Sequence, residues 1–181
     1  MNPIQIIQKY YQKDSRLYYI LTEHSKAVAK KSLEIAKKAS HLSPDLQFIE
    51  EASILHDIGI FLTNAPEINC LGEKPYICHG YLGREILEKE GFPKYGLVCE
   101  RHTGISIEDI EKQKLPIPKR DMLPVSIEEE IICLADKFFS KKERCLAKEK
   151  SINEIKSDLI RFGEDPIKRL DSWLKKFGIE K

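Results

Sequence analysis

Histidines and aspartates recur on the apolar sides of helical segments that lie far apart in the chain, and this restricts its possible folds more than any other feature. A carboxylate turned into an apolar interior costs several kcal/mol unless it is paired, hydrogen-bonded or bound to a metal. The fold must therefore bring such groups together. The clearest segment is Ala52-Ser53-Ile54-Leu55-His56-Asp57-Ile58-Gly59-Ile60. Ile49, Ala52, Ser53 and His56 follow the i, i+3, i+4, i+7 spacing of a helix that buries one face, with His56 on that face. Gly59 is expected to end this helix in the left-handed conformation. His56 and Asp57 would then occupy its last turn, about 100° apart around the axis, both able to lean toward one point.

The rest of the chain has the same punctuation. Asn2 and Pro3 open a short helix over 3–12. Asp14 or Ser15 caps a long one reaching about residue 39, whose stripe of Leu17, Ile20, Leu21, Val28 and Ile35 carries His24 in register. His41 falls in the polar exit and is expected in solvent. Asp45 starts the helix that carries His56. An irregular stretch over 63–78 is long enough to be a covering loop. His79 opens a helix over 79–90, and Gly83 within it permits close approach of another backbone. A short helix over 95–102 puts Tyr95, Val98, Cys99 and His102 on one face. Ser106 with Asp109 and Ser126 with Glu129 are capping boxes for helices over 107–113 and 127–140, with a second irregular segment between them. On the later helix Asp136 lines up with Ile132, Ala135 and Phe139. Ser151 with Glu154 boxes a helix ending at Gly163. Asp165 and Pro166 begin the last helix, whose stripe of Ile167, Leu170, Trp173, Leu174 and Phe177 reads as core packing. No alternating run supports a strand, so the fold class is all-α: one helical bundle of seven or eight helices.

A length of 181 residues suits one domain. A net charge of +1 gives no basis for binding nucleic acid or a membrane surface. No apolar run approaches the ~20 residues of a membrane span, and the start lacks a signal-peptide pattern. Five cysteines without a CxxC pair point to reduced thiols and a cytoplasmic location. Nothing in the sequence specifies an oligomeric state.

His24, His56, Asp57 and Asp136 offer two imidazoles and two carboxylates, half a shell for one divalent ion. His79 and His102 offer two further nitrogens, enough for a second ion if Asp57 bridges. No cysteine falls at these positions, which leaves a site open to water. The order His24 … His56-Asp57 … Asp136 resembles the H…HD…D signature of the HD superfamily of metal-dependent phosphohydrolases. His56-Asp57-Ile58-Gly59 matches the HDIG subgroup letter for letter. His79 and His102 resemble the extra histidines of HD proteins that hold two metals, among them the HD-type diadenosine tetraphosphate hydrolases. The HD-GYP cyclic-di-GMP phosphodiesterases have a similar set, but here Ile60-Phe61 follows the glycine and no GYP triplet occurs.

The resemblance covers about residues 20–142 and leaves the opening helix and the 151–177 helices as additions. It implies an HD-like bundle, one or two divalent ions (iron, manganese, cobalt, nickel or zinc) and a small phosphate-bearing substrate of nucleotide type. The reaction it implies is attack by a metal-activated hydroxide on a phosphoester or phosphoanhydride, with Asp57 as the catalytic bridge. Arg84, Arg101 and Lys137 are the candidate phosphate contacts, followed by Lys141. Two other readings fit the same residues: a single-metal nucleoside monophosphate phosphatase, and a metal- or nucleotide-binding sensor module without turnover.

Overall fold

The computed structural model describes residues 1–146 and 148–179, with nine α-helices among them. α1 (Pro3–Tyr10), α2 (Arg16–Lys38) and α3 (Leu46–Leu55) each begin where a short polar side chain satisfies an otherwise free N–H. Asn2, Ser15 and Asp45 accept from the N–H groups of Gln5, Tyr18 and Phe48. His41, between α2 and α3, is exposed. α4 (His79–Lys89), α5 (Pro93–Arg101) and α6 (Ile107–Gln113) follow. α7 (Ile127–Lys137) opens with the full Ser126–Glu129 capping box. It stops short of the expected residue 140 because Phe138 and Phe139 turn back to the carbonyls of Ala135 and Asp136. α8 (Ile152–Leu159) also has a complete capping box, Ser151 with Glu154, and is followed by a 3-10 turn over Ile160–Phe162. α9 (Asp165–Lys176) closes the order.

α2, α3, α7 and α9 share one core, in which Val28, Ile35, Ile49, Ala52, Ile132, Ala135, Leu170 and Phe177 are buried. Fully burying a Leu or Ile side chain is worth roughly 1.5–3 kcal/mol, so α9 is an integral part of this packing. A second core joins α1 to the far ends of α2 and α3 and to α4, through Ile7, Leu21, Leu55, Ile58 and Leu87. α4 and α5 pack closely, with Gly83 and Gly80 of α4 against the Cys99 region of α5. The close approach expected at Gly83 is thus made.

Two expectations are corrected. The 63–78 segment contains a small sheet of β1 (Thr63–Ala65), β2 (Cys70–Leu71) and β3 (Lys74–Pro75) in the order β2-β1-β3. β1 pairs antiparallel with β2 (Asn64 opposite Leu71) and parallel with β3 (Thr63 opposite Lys74). Strands this short give no period-2 pattern to read.

The second correction concerns Gly59, which has φ −82° and ψ −4°, an ordinary right-handed conformation. A Cβ there would stand 2.3 Å from the His79 carbonyl oxygen and 2.5 Å from the Gly83 nitrogen. The glycine makes room for α4 against the end of α3, a tertiary reason that local sequence does not carry. α3 itself ends at Leu55, with His56 as its cap and Asp57 in the tight turns beyond. The Tyr11 hydroxyl fixes those turns by donating to the Ile58 carbonyl at 2.8 Å and accepting from the Phe61 N–H at 3.3 Å. The opening helix thereby supports the segment that carries Asp57.

All five cysteines are free thiols. Among the described residues, no helix is long and apolar enough to cross a membrane.

Candidate metal centre

α2, the α3 end, the start of α4, the end of α5 and the last turn of α7 converge on Asp57. His24, His56, Asp57 and Asp136 each offer a ligand atom, all within 4.8 Å of one another, and Asp57, His79 and His102 do the same. Asp57 belongs to both groups. His56 Nε2 is 3.0 Å and His24 Nε2 is 3.3 Å from its Oδ2, while His79 Nε2 is 3.4 Å and His102 Nε2 is 3.5 Å from its Oδ1. The six residues singled out in the sequence come together at one point. Asp136 is the most exposed of them and faces a cavity.

Local backbone geometry orients three of the four imidazoles in the same way. His56 Nδ1 donates to the Ser53 carbonyl at 2.6 Å, His79 Nδ1 to that of Tyr76 at 2.7 Å, and His102 Nδ1 to that of Cys99 at 2.6 Å. A carbonyl only accepts, so Nδ1 holds the proton and Nε2 is left as the donor atom aimed at Asp57. His79 Nε2 and His102 Nε2 then face each other at 3.1 Å. Two lone pairs at that distance repel unless a cation or proton lies between them. His24 differs: its Nε2 is 2.9 Å from Asp136 Oδ1, and its Nδ1 is buried without a partner.

Asp57 Oδ1 and Nε2 of His56 are also buried and lack hydrogen bonds among the described residues, while Asp57 Oδ2 has the Lys141 ammonium beside it. Buried polar atoms are rarely left so, because each costs about 1–3 kcal/mol. Nitrogen and oxygen donors at this spacing, unsatisfied and mutually facing, fit a divalent metal ion.

The site is electrostatically loaded. Burial alone would lower the His56 imidazole, but the charges of Asp57 and Asp136 outweigh it and hold it up at about 10. Burial would raise the Asp57 carboxyl, yet His56 and Lys141 hold it well below the usual carboxylate range. Burial pushes His79 down to about 4 and lowers His102 as well, so both are neutral and ready to donate near pH 7.

Lys141 was named in the sequence only as the last of four phosphate contacts. Its ammonium lies 2.7 Å from Asp57 Oδ2 and 3.8 Å from Asp136 Oδ1, inside the cluster. The only local hint was its position just past the end of the helix that carries Asp136. Tyr76, stacked on His79 with ring centroids 4.7 Å apart, also had no signal of its own.

A cavity of about 360 Å³ opens over the cluster, lined by His79, His102, Asp136, Lys137 and Lys141 among others. Arg84 and Arg101 are not among its lining residues. Arg84 Nη1 is bound to the buried Glu100 at 2.6 Å, and its Nε to Glu88 at 2.7 Å. Arg101 holds Glu129 of the α7 capping box at 2.9 Å. Both guanidinium groups are committed to carboxylates of the scaffold, so this geometry gives no support to their expected role as phosphate contacts.

A helical bundle whose imidazoles and carboxylates meet at an open cavity defines a class of divalent-metal proteins. The chain belongs to the HD domain family, whose profile matches residues 21–140. It is 34% identical over 119 residues to an uncharacterized protein of Methanocaldococcus jannaschii, covering 64% of each chain. It is 30% identical over 125 residues to the tRNA (cytidine(56)-2'-O)-methyltransferase of Thermoplasma volcanium, covering 68% of this chain and 33% of that protein. The enzyme of the same name from Picrophilus torridus is 32% identical over 122 residues, 67% of this chain and 32% of that one. The chain thus spans less than two thirds of the first relative and about a third of the other two. No solved structure matches it.

Proposed function

We propose that this chain is a metal-dependent phosphohydrolase that cleaves a phosphoester or phosphoanhydride bond in a small nucleotide-type substrate, with two divalent ions sharing Asp57. The observation that carries this reading is the buried Asp57 carboxylate, each of whose oxygens is crowded by two imidazole Nε2 atoms. His24, His56, Asp57 and Asp136 would hold one ion, and Asp57, His79 and His102 the other. Iron, manganese, cobalt, nickel and zinc suit this donor set, whereas magnesium prefers fewer imidazoles.

When bound, the ions supply Lewis acidity toward a water nucleophile and the phosphoryl oxygens. The chain's own residues do the rest. The Nδ1 bonds of His56, His79 and His102 to carbonyls three residues earlier lock each ring with Nε2 facing inward. Asp57 stays ionised across the neutral range because positive groups surround it. Lys137, on the cavity wall beside Asp136, holds positive charge where phosphoryl oxygens would enter, while Lys141 is paired to Asp57. The cavity is of a size for small molecules, which favours a nucleotide over a nucleic-acid chain.

The test is a panel of phosphomonoesters, phosphodiesters and phosphoanhydrides, run with Mn²⁺, Fe²⁺, Co²⁺, Ni²⁺, Zn²⁺ and Mg²⁺ in turn. Hydrolysis of at least one class, abolished by Asp57→Ala, is the expected result. No turnover with any pairing would leave the sensor reading in its place. Full activity in Asp57→Ala would remove this assignment of the site.

A further inference from the structure

The family match ends at residue 140, yet one wall of the cavity over the metal ligands comes from the chain beyond it. The end of α8, the 3-10 turn after it and α9 contribute Leu159, Arg161, Phe162 and Arg169. Together with Lys137 of α7, two of these place three cations on the lining. Among the described residues, none of the three forms an ion pair with a carboxylate, in contrast to Arg84 and Arg101.

The cations are grouped. Arg169 Nη1 donates to the Gly104 carbonyl at 2.8 Å, and Lys137 Nζ sits 3.4 Å from Cys133 Sγ. A Cβ on Gly104 would be 3.8 Å from the first and 4.0 Å from the second, so both charged ends lie against that residue. The Arg161 guanidinium lies over the Phe162 ring, 4.7 Å from its centroid, and Phe162 is 47% exposed. Asp109, a carboxylate on the same lining, is held by the Ser106 hydroxyl at 2.9 Å. Like charges gathered without a counterion repel, and an anion received between them relieves that repulsion.

We propose that Lys137, Arg161 and Arg169 form a second anion subsite, and that the substrate carries two linked phosphoryl groups as a phosphoanhydride. One phosphoryl group would sit at the metal centre and its neighbour at this subsite, with the Phe162 ring offering a stacking face to the organic part. The inference rests on the hydrolase reading only for the fate of the substrate; the binding it predicts does not require turnover.

The experiment titrates the metal-loaded protein with two inert probes, methylphosphonate and methylenebisphosphonate, by calorimetry. The wild type should bind the bisphosphonate at least about tenfold tighter, the scale of one charge-assisted contact. In Arg161→Gln/Arg169→Gln that preference should fall to about twofold or less, the monophosphonate affinity staying put. Arg169→Lys should restore most of it. Arg161→Gln alone, at an exposed residue, guards against misfolding and should lose about threefold. Equal affinity for the two probes in the wild type, or an undiminished preference in the double variant, would overturn the subsite. A chain that prefers the bisphosphonate but hydrolyses neither a phosphoester nor a phosphoanhydride would overturn the hydrolase reading and leave the subsite intact.

Discussion

Gly59→Ala is the substitution that most sharply tests how the metal centre is assembled. The added methyl carbon would lie 2.3 Å from the His79 carbonyl oxygen and 2.5 Å from the Gly83 nitrogen, both backbone atoms that cannot rotate away. Ordinary contact begins at 3.4 Å, so the start of α4 must retreat by roughly 1 Å, an overpacking strain of about 1–3 kcal/mol. For a chain of this size that lowers the thermal midpoint by about 2–12 °C. His79 opens α4, so the same retreat draws its Nε2 away from Asp57, and misplacement by ~1 Å can cost on the order of a hundredfold in activity.

The assay is thermal unfolding by circular dichroism with and without metal, together with metal binding to the folded protein. Gly91→Ala is the control: that residue has φ +83° and nothing within 4 Å, so only strain of about 1 kcal/mol is expected, with unaltered metal binding. Gly59→Asn separates the two explanations for this glycine. Asn tolerates a left-handed cap, but in a tight backbone contact it should be worse than Ala. A midpoint for Gly59→Ala within about 2 °C of wild type, or a milder effect for Asn, would refute the close-contact account.

Three further outcomes follow from the same geometry. Because His56 in the metal-free protein keeps its extra proton up to about pH 10, metal binding at neutral pH must displace it. Affinity should therefore rise with pH toward that value, and calorimetry in buffers of different ionisation enthalpy should register proton release; none released would contradict the assignment. Lys141→Met removes the ammonium 2.7 Å from Asp57 Oδ2 and should lower the thermal midpoint of the metal-free protein more than that of the loaded one. Equal shifts in both states would show that the lysine does not neutralise the empty centre. Glu100→Gln strips the buried partner from Arg84 and Arg120, both partly exposed, and should cost about 1–3 kcal/mol in urea unfolding; a loss below ~0.5 kcal/mol would count against that network.

The sequence revealed the site more fully than the fold around it. His24, His56, Asp57, His79, His102 and Asp136 could be found because each is a polar group in a helical stripe or at a helix end, and one core forces such groups to converge. Caps such as Ser15, Asp45 and Ser126 were legible because their hydrogen bonds are local. Contacts made across the fold were not. Gly59 looked like a terminator, since nothing nearby in sequence announces the approach of α4. Arg84 and Arg101 looked like phosphate contacts until Glu100 and Glu129 claimed them. The α9 stripe reads as plain core packing, which it is, while Arg169 on the same helix reaches the cavity. Strands of two or three residues held by pairing alone leave no periodic trace.

The central claim is that Asp57 bridges two cations, and counting metal tests it most directly. The protein, reconstituted with Mn²⁺ or Fe²⁺ and freed of excess, would be assayed by inductively coupled plasma mass spectrometry beside Asp57→Ala, whose folding is checked by circular dichroism. Two ions per wild-type chain, one for each donor group, and almost none in the folded variant is the predicted result. A wild-type chain that retains one ion or none, or a variant that retains both, would contradict it.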